Sequence, residues 1–176
     1  YATTEQVDDA INWLETLDAD QPFFLWQAFN APHPPYHLPP ASLHSVPGLT
    51  GTQQDIMQNR PEYYKAMIES MDTEIGRLFT WLEQHELLEN TNIIFIGDNG
   101  NDALISQIGD PDHHKGTLYE YGIHVPMIIS GPVVQAPNRV SDALVSTPDL
   151  FATILEMGGL HDWQASIPMD SPVDAI

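Results

Sequence analysis

The chain has 176 residues, of which 42% are hydrophobic and none is cysteine. This composition predicts one globular domain and excludes disulfides, thiolate metal sites and a cysteine nucleophile. The 25 acidic residues outnumber the 5 basic ones and give a net charge of −20, so we expect no nucleic-acid or membrane partner and regard a divalent cation as a natural one.

The first half of the chain predicts two helices around a buried strand. Residues 3–17 carry an apolar stripe at helical spacing, with Thr3 and Gln6 placed as in a capping box. Residues 23–29 form an apolar, aromatic-rich run that favours a buried strand. Residues 61–85 show the clearest helical pattern, with a wide apolar face.

A proline-rich loop follows the predicted strand and holds two histidines. Residues 30–40 contain five prolines, which exclude a helix or a central strand and stiffen the chain. Such a loop would fix the directions of His33 and His37, and a histidine held in this way can act as an acid, a base or a donor to an anion. The alternative is a pair of surface histidines in a rigid loop.

The apolar run of residues 93–96 ends abruptly at the sequence Gly-Asp-Asn-Gly. Four apolar residues without a polar break predict a strand that is buried on both faces. Asp98 and Asn99 follow at its carboxyl end, where oxygen ligands suit a hard cation such as Ca²⁺ or Mg²⁺. The alternative is a simple Asn-Gly turn.

A lone lysine lies further along in the sequence Lys-Gly-Thr. The basic residues of the chain are Arg60, Lys65, Arg77, Lys115 and Arg139, and two of them fall in the long helical pattern. Lys115 is therefore the best candidate for binding an anionic oxygen. The alternative is a solvated lysine.

The end of the chain predicts another strand and another helix. Residues 125–130 form the strand, and residues 147–149 begin a helix that ends at the glycines 158–159. Strands that alternate with helices predict an α/β layered fold with a mainly parallel sheet flanked by helices. The loops after its strands would meet at one edge of that sheet.

Four segments resemble the sulfatase family of the alkaline-phosphatase-like superfamily. In chain order they are FFLWQAFNAPHPPY, YYKAMIESMDTEIGRLFTWLEQHELLENTNIIFIGDNG, KGTLYEYGIHVPMIISGP and SDALVSTPDLFATILEMGG. The resemblance implies an alkaline-phosphatase-like fold and the hydrolysis of sulfuric esters. It also implies that residues 1–160 are the C-terminal part of a sulfatase catalytic domain, followed by an irregular tail over residues 161–176.

The resemblance implies a role for each matching residue. Asp98 and Asn99 match two ligands of the family's single divalent ion, usually Ca²⁺. Lys115 matches the lysine that contacts the sulfate, and His33 matches the histidine beside the sulfate or the leaving-group oxygen.

Other features depart from the family pattern. The family's formylglycine nucleophile is made in a C/S-x-P-x-R motif, which this chain lacks. The resemblance therefore implies a fragment of a larger sulfatase that is inactive alone, with the formylglycine outside this chain. Tyr121 stands in place of a family glycine. His113 and His114 precede the lysine and could bind substrate; the alternative is two loop histidines.

The expected partner is a sulfated small molecule or glycan. A phosphonate or phosphate ester hydrolase on the same scaffold, and a non-catalytic module, remain alternatives. We expect self-association through exposed apolar surface, because a fragment leaves a sheet edge uncovered. The resemblance favours a periplasmic or secreted location.

Overall fold

The computed structural model describes residues 1–18, 21–106, 110 and 112–167. It divides into two compact units, residues 1–89 with 96–127 and residues 90–95 with the chain from 128 onward. The elements in chain order are α1 (Ala2–Leu14), α2 (Gln53–Gln58), α3 (Arg60–Gln84), a 3₁₀ turn (Leu88–Asn90), β1 (Ile93–Ile96), α4 (Glu120–Ile123), β2 (Met127–Ser130), α5 (Thr147–Met157) and a 3₁₀ turn (Trp163–Ser166).

Helices α1 and α3 form the core of the first unit. The apolar stripes of the two predicted helices meet there, with Val7 and Leu14 packed against Leu78 and Leu82. Helix α1 ends three residues before the predicted end, because its last turn tightens into 3₁₀-type bonds such as Leu17 N–H to the Leu14 carbonyl (3.1 Å). The predicted capping box is wrong, because the N-cap is Tyr1, Thr3 lies inside α1 and the Gln6 amide donates to the Ala28 carbonyl (2.8 Å). The two helices themselves are confirmed.

A buried carboxylate also joins these two helices. Glu74 is only 3% exposed, yet it accepts hydrogen bonds from the Thr4 hydroxyl and from Arg77, both at 2.7 Å. The guanidinium of Arg77 reaches Asp8 on α1 at 2.7 Å as well. Because a buried charge is tolerated only when it is paired, this network fixes how α1 lies on α3.

Strands β1 and β2 pair with each other and run antiparallel. The Gly97 N–H donates to the Pro126 carbonyl (3.0 Å), and Gly131 lies beside Thr91 and Asn92, so residue numbers rise along one strand as they fall along the other. The described residues therefore do not contain the predicted parallel sheet. A parallel pair is usually joined by a crossover helix, whereas the only helix among the described residues between these strands is the four-residue α4. The side chains of β1 are half-buried rather than fully buried.

The predicted strand at residues 23–29 has no hydrogen-bonded strand partner within the described part of the chain. Its side chains still alternate with a period of two. Phe23, Leu25 and Phe29 pack against the α1–α3 core, whereas Phe24 and Trp26 are 63% and 76% exposed. The α1–α3 core covers one face of this segment, so its other face is exposed and the segment is not the buried strand that the sequence predicted.

The second unit contains the predicted C-terminal helix, α5. Its cap is Ser146 rather than Thr147, because the Ser146 N–H and hydroxyl both donate to the Asp149 carboxylate (2.7 and 3.1 Å). The helix ends at Gly158, as predicted, and Gly159 follows with a positive φ of 78°.

The predicted irregular tail is described only as far as Ile167 and includes the second 3₁₀ turn. Its residues 168–176 lie outside the described residues, as do residues 19–20, which follow the predicted first helix. No helix in the described ranges is both long enough and apolar enough to cross a membrane.

Helix α2 is tied to α3 through one carboxylate. Asp55 accepts hydrogen bonds from the Thr50 N–H (2.8 Å), the Tyr63 hydroxyl and the Asn59 amide (2.6 Å). The Thr50 N–H first, and the Tyr63 hydroxyl second, lower the pKa of Asp55 from 3.8 to about 2. This network anchors the loop that leads into α3.

Because the pKa of Asp55 is lowered in the folded state, its ionised carboxylate stabilises the fold above its unfolded-state pKa near 4. That contribution is lost as pH falls through about 2. In the full-length protein we expect Asp55→Asn to lower the melting temperature at pH 6, and the difference from wild type to shrink steadily below pH 4. Thermal unfolding followed by circular dichroism measures this difference in melting temperature. The control is Asp9→Asn, since Asp9 is an exposed acidic residue of α1. A difference that does not depend on pH would contradict the assignment.

Candidate functional site

The Gly-Asp-Asn-Gly segment lies directly against the Lys-Gly-Thr segment. The Lys115 N–H donates to the Asn101 carbonyl (2.8 Å), and the Gly100 N–H donates to the Gly122 carbonyl (3.1 Å). These backbone bonds bring together two of the three loops that the sequence singled out. The loop that carries Asp98 and Asn99 is therefore bonded directly to the loop that carries Lys115.

Gly100 permits the contact between the two loops, and Gly122 permits the lysine loop to fold closely on itself. A Cβ built on Gly100 would lie 1.9 Å from the Tyr121 carbonyl oxygen, and one on Gly122 would lie 2.3 Å from the Thr117 carbonyl oxygen of its own loop. Both distances are far inside van der Waals contact, so a side chain at either position forces backbone atoms apart. The Tyr121 side chain itself is exposed, and its backbone oxygen makes the closest approach.

Asp98 and Asn99 present oxygen atoms at the surface of this contact. Both side chains are exposed, and the Asn99 amide NH₂ donates to the Gly100 carbonyl (3.0 Å), which leaves the amide oxygen available as a ligand. Carboxylate and amide oxygens suit Ca²⁺, which takes six to eight of them. No group of three or more His, Cys, Asp or Glu side chains within the described residues could hold a metal ion. The pair therefore fits part of a calcium ligand set.

Lys115 is half-buried, and neither Lys115 nor Arg60 takes part in the ion pairs of the described residues. Lys65 pairs with Glu69, and Arg77 pairs with Glu74 and Asp8. The backbone of Lys115 is fixed by its bond to Asn101, and its ammonium group has no ion-pair partner among the described residues. Such an ammonium group can receive an anionic oxygen.

The two histidines before Lys115 have contacts within their own loop. The Nδ1 of His113 lies 2.6 Å from an Asp110 carboxylate oxygen, and its ring packs edge-on against Tyr119 with centroids 3.7 Å apart. The Nδ1 of His114 lies 3.3 Å from the Lys115 carbonyl oxygen. These contacts support the shape of the loop, and substrate binding by either histidine stays a prediction.

His33 is exposed and lies in the predicted proline-rich loop. Its Nδ1 lies 2.8 Å from the Pro34 carbonyl oxygen, which can only accept a hydrogen bond. Nδ1 therefore carries the proton, and Nε2 is the nitrogen left for chemistry. The described contacts do not join His33 directly to Asp98, Asn99 or Lys115.

Two tyrosines, Tyr64 of α3 and Tyr36 of the proline-rich loop, connect the Asp98 loop with the proline-rich loop. The Tyr64 hydroxyl donates to the Asn101 side-chain oxygen (3.3 Å), and its ring packs edge-on against Tyr36 of the proline-rich loop, with centroids 6.3 Å apart. Burial first, and the charge of Asp98 second, raise the pKa of Tyr64. Tyr64 packs against the same apolar cluster as its buried neighbour Tyr63, and the helical pattern carries no signal of its hydroxyl bond to Asn101.

The fold and this pair of loops agree with one family of proteins. The Sulfatase family model matches residues 1–160, and the chain belongs to the sulfatase family. Arylsulfatase K of Canis lupus familiaris is 28% identical over 88% of this chain and 36% of its own length. The uncharacterized sulfatase YdeN of Escherichia coli (strain K12) is 29% identical over the whole chain and 30% of its own length. The chain thus spans about a third of the length of these relatives.

Solved structures give the same family. The chain is similar to Ps i-CgsB, with a TM-score of 0.75, 25% identity and coverage of 99% of this chain and 37% of that one. It is also similar to yidJ of Bacteroides fragilis, described as a sulfatase, with a TM-score of 0.76, 26% identity and coverage of 100% and 40%. The predicted family is confirmed.

We expect Gly100→Ala and Gly122→Ala each to lower the free energy of unfolding of the full-length protein by at least about 2 kcal/mol, because the added methyl group overlaps backbone atoms. The control is Gly76→Ala on α3, where a Cβ meets nothing within 4 Å and higher helix propensity should stabilise by roughly 0.5–1 kcal/mol. Chemical denaturation measures all three. Equal stability of the Gly100 and Gly76 variants would contradict the close backbone contact.

Proposed function

We propose that the full-length protein that contains this chain hydrolyses sulfate esters, with a formylglycine nucleophile supplied outside this chain and one divalent ion, Ca²⁺. The observation that carries the proposal is the backbone contact between the Asp98–Asn99 loop and the Lys115 loop in a chain of the sulfatase family. We take Asp98 and Asn99 as the hard-cation ligands and Lys115, which no described carboxylate neutralises, as the cation that binds the sulfate.

The roles of the side chains follow from the charge that develops when the ester's sulfur–oxygen bond breaks. Lys115 stabilises the negative charge on the sulfate oxygens that do not leave. Asp98 and Asn99 hold the ion, which when bound adds positive charge at the same oxygens. His33 would act as an imidazolium, with Nδ1–H held on the Pro34 carbonyl, and would give its Nε2 proton to the departing alcohol oxygen, so that a neutral alcohol and a neutral imidazole result.

The proposed substrate is a sulfated small molecule or glycan. One similar structure is that of Ps i-CgsB in complex with k-i-k-neocarrahexaose, which favours a glycan. The exposed positions of His33, Asp98 and Asn99 are compatible with a large substrate that approaches from solvent. We further propose a periplasmic or secreted location, on the family resemblance alone.

Two alternatives use the same residues. A phosphonate or phosphate ester hydrolase would need the same ion and lysine, since its transition state also gathers charge on peripheral oxygens. A non-catalytic module is the second alternative for the chain in isolation. Two oxygen ligands are too few to hold Ca²⁺ firmly, and we propose that residues 1–176 alone have no turnover.

In the full-length protein we expect Asp98→Ala and Lys115→Ala each to lower kcat/KM on an aryl sulfate by at least about 100-fold, because each removes charge stabilisation from the transition state. Lys65→Ala is the matched control, since Lys65 is exposed and pairs only with Glu69 on its own helix. Steady-state assays on matched aryl sulfate and aryl phosphate esters measure the effect. Undiminished sulfate turnover in both site variants would sink the proposal, and faster phosphate than sulfate turnover would favour the phosphoryl alternative.

A further inference from the structure

One tyrosine of α3 contacts two of the three loops that carry the proposed site. The Tyr64 hydroxyl donates to the side chain of Asn101, in the Asp98 loop. Its ring packs at 90° against the ring of Tyr36, which belongs to the His33 loop. Within the described part of the chain, no other side chain of α3 forms a hydrogen bond with the Asp98 loop.

Asn101 links Tyr64 to the lysine loop through two hydrogen bonds. Its side-chain oxygen accepts from Tyr64, while its backbone oxygen accepts the Lys115 N–H at 2.8 Å. The residue is therefore held from both sides, by the helix and by the lysine loop. Because Asn101 lies two residues after Asn99, fixing it limits the positions that the two oxygen ligands can take.

Tyr64 differs in this respect from its neighbour Tyr63. The Tyr63 hydroxyl bonds Asp55 and receives the Gly51 N–H (2.8 Å), so it serves the loop that precedes α3. Tyr63 is fully buried, and its bonds lie away from the proposed ligands. The helix thus presents two adjacent hydroxyls, of which only one reaches the site loops.

We propose that Tyr64 is a positioning residue for the divalent ion, acting through Asn101 on the loop that carries Asp98 and Asn99. This inference rests on the proposed function, because it takes Ca²⁺ as the ion of that site. A ligand loop that already has its bound conformation loses less conformational entropy when the ion binds, so its affinity for the ion is higher. Loss of one neutral hydrogen bond corresponds to a change of about fivefold in affinity.

The test is a calorimetric titration of the full-length protein with Ca²⁺. For Tyr64→Phe, which keeps the ring and removes the hydroxyl, we expect the Kd for Ca²⁺ to rise about fivefold with unchanged stoichiometry. Partial unfolding would instead lower the stoichiometry and leave the Kd unchanged. Tyr63→Phe is the matched control, and its Kd should equal that of wild type even where its stability is lower.

The pathway through Asn101 has its own test. Asn101→Ala removes the acceptor, and we expect its Kd to match that of Tyr64→Phe, with the double variant no weaker than either single variant. A Kd for Tyr64→Phe equal to wild type, or an equal loss in Tyr63→Phe, overturns the inference and leaves the proposed function standing. Absence of Ca²⁺ binding by the wild-type protein overturns the inference together with the calcium assignment.

Discussion

The approach of two backbones at Gly100 and Gly122 is the constraint on which the site depends. The Gly100 N–H reaches the Gly122 carbonyl, and at both positions a Cβ would overlap backbone atoms. Neither residue has a positive φ, so the requirement is space rather than backbone conformation. The contact between the two loops therefore depends on the absence of a side chain at Gly100.

The first unit provides the support for this contact. Helix α3 packs on α1 through an apolar seam and through the buried Glu74, whose charge is matched by Arg77. The same helix presents Tyr64 to the site loops. One long helix, α3, therefore packs on α1 and also contacts the site loops. Rigid elements of this kind are what hold functional loops in position.

The sequence was most informative where local patterns decide local structure. The apolar stripes located α1 and α3, and the resemblance of four segments gave the family. It was less informative about pairing, because the direction of β2 relative to β1 depends on the connection between them. The run at residues 23–29 keeps a strand's alternation, but a strand assignment needs a hydrogen-bonded neighbour that the described residues do not supply.

The candidate residues divide in the same way. Asp98, Asn99 and Lys115 could be proposed from motifs, because the motifs themselves contain the oxygen and ammonium groups that the proposed chemistry needs. Tyr64 and Asn101 could not, since their role is a contact between distant segments, 37 residues apart, that no spacing reveals. His113 shows the reverse case, because its position beside Lys115 suggests substrate, while its contacts with Asp110 and Tyr119 give it a local partner.

The most direct test of this account is a crystal structure of the full-length protein grown with Ca²⁺, with the ion located by anomalous scattering. The account predicts one ion with a carboxylate oxygen of Asp98 and the amide oxygen of Asn99 at about 2.3–2.6 Å, on the side where Lys115 enters. An ion bound elsewhere, with Asp98 and Asn99 left as a plain turn, would contradict it.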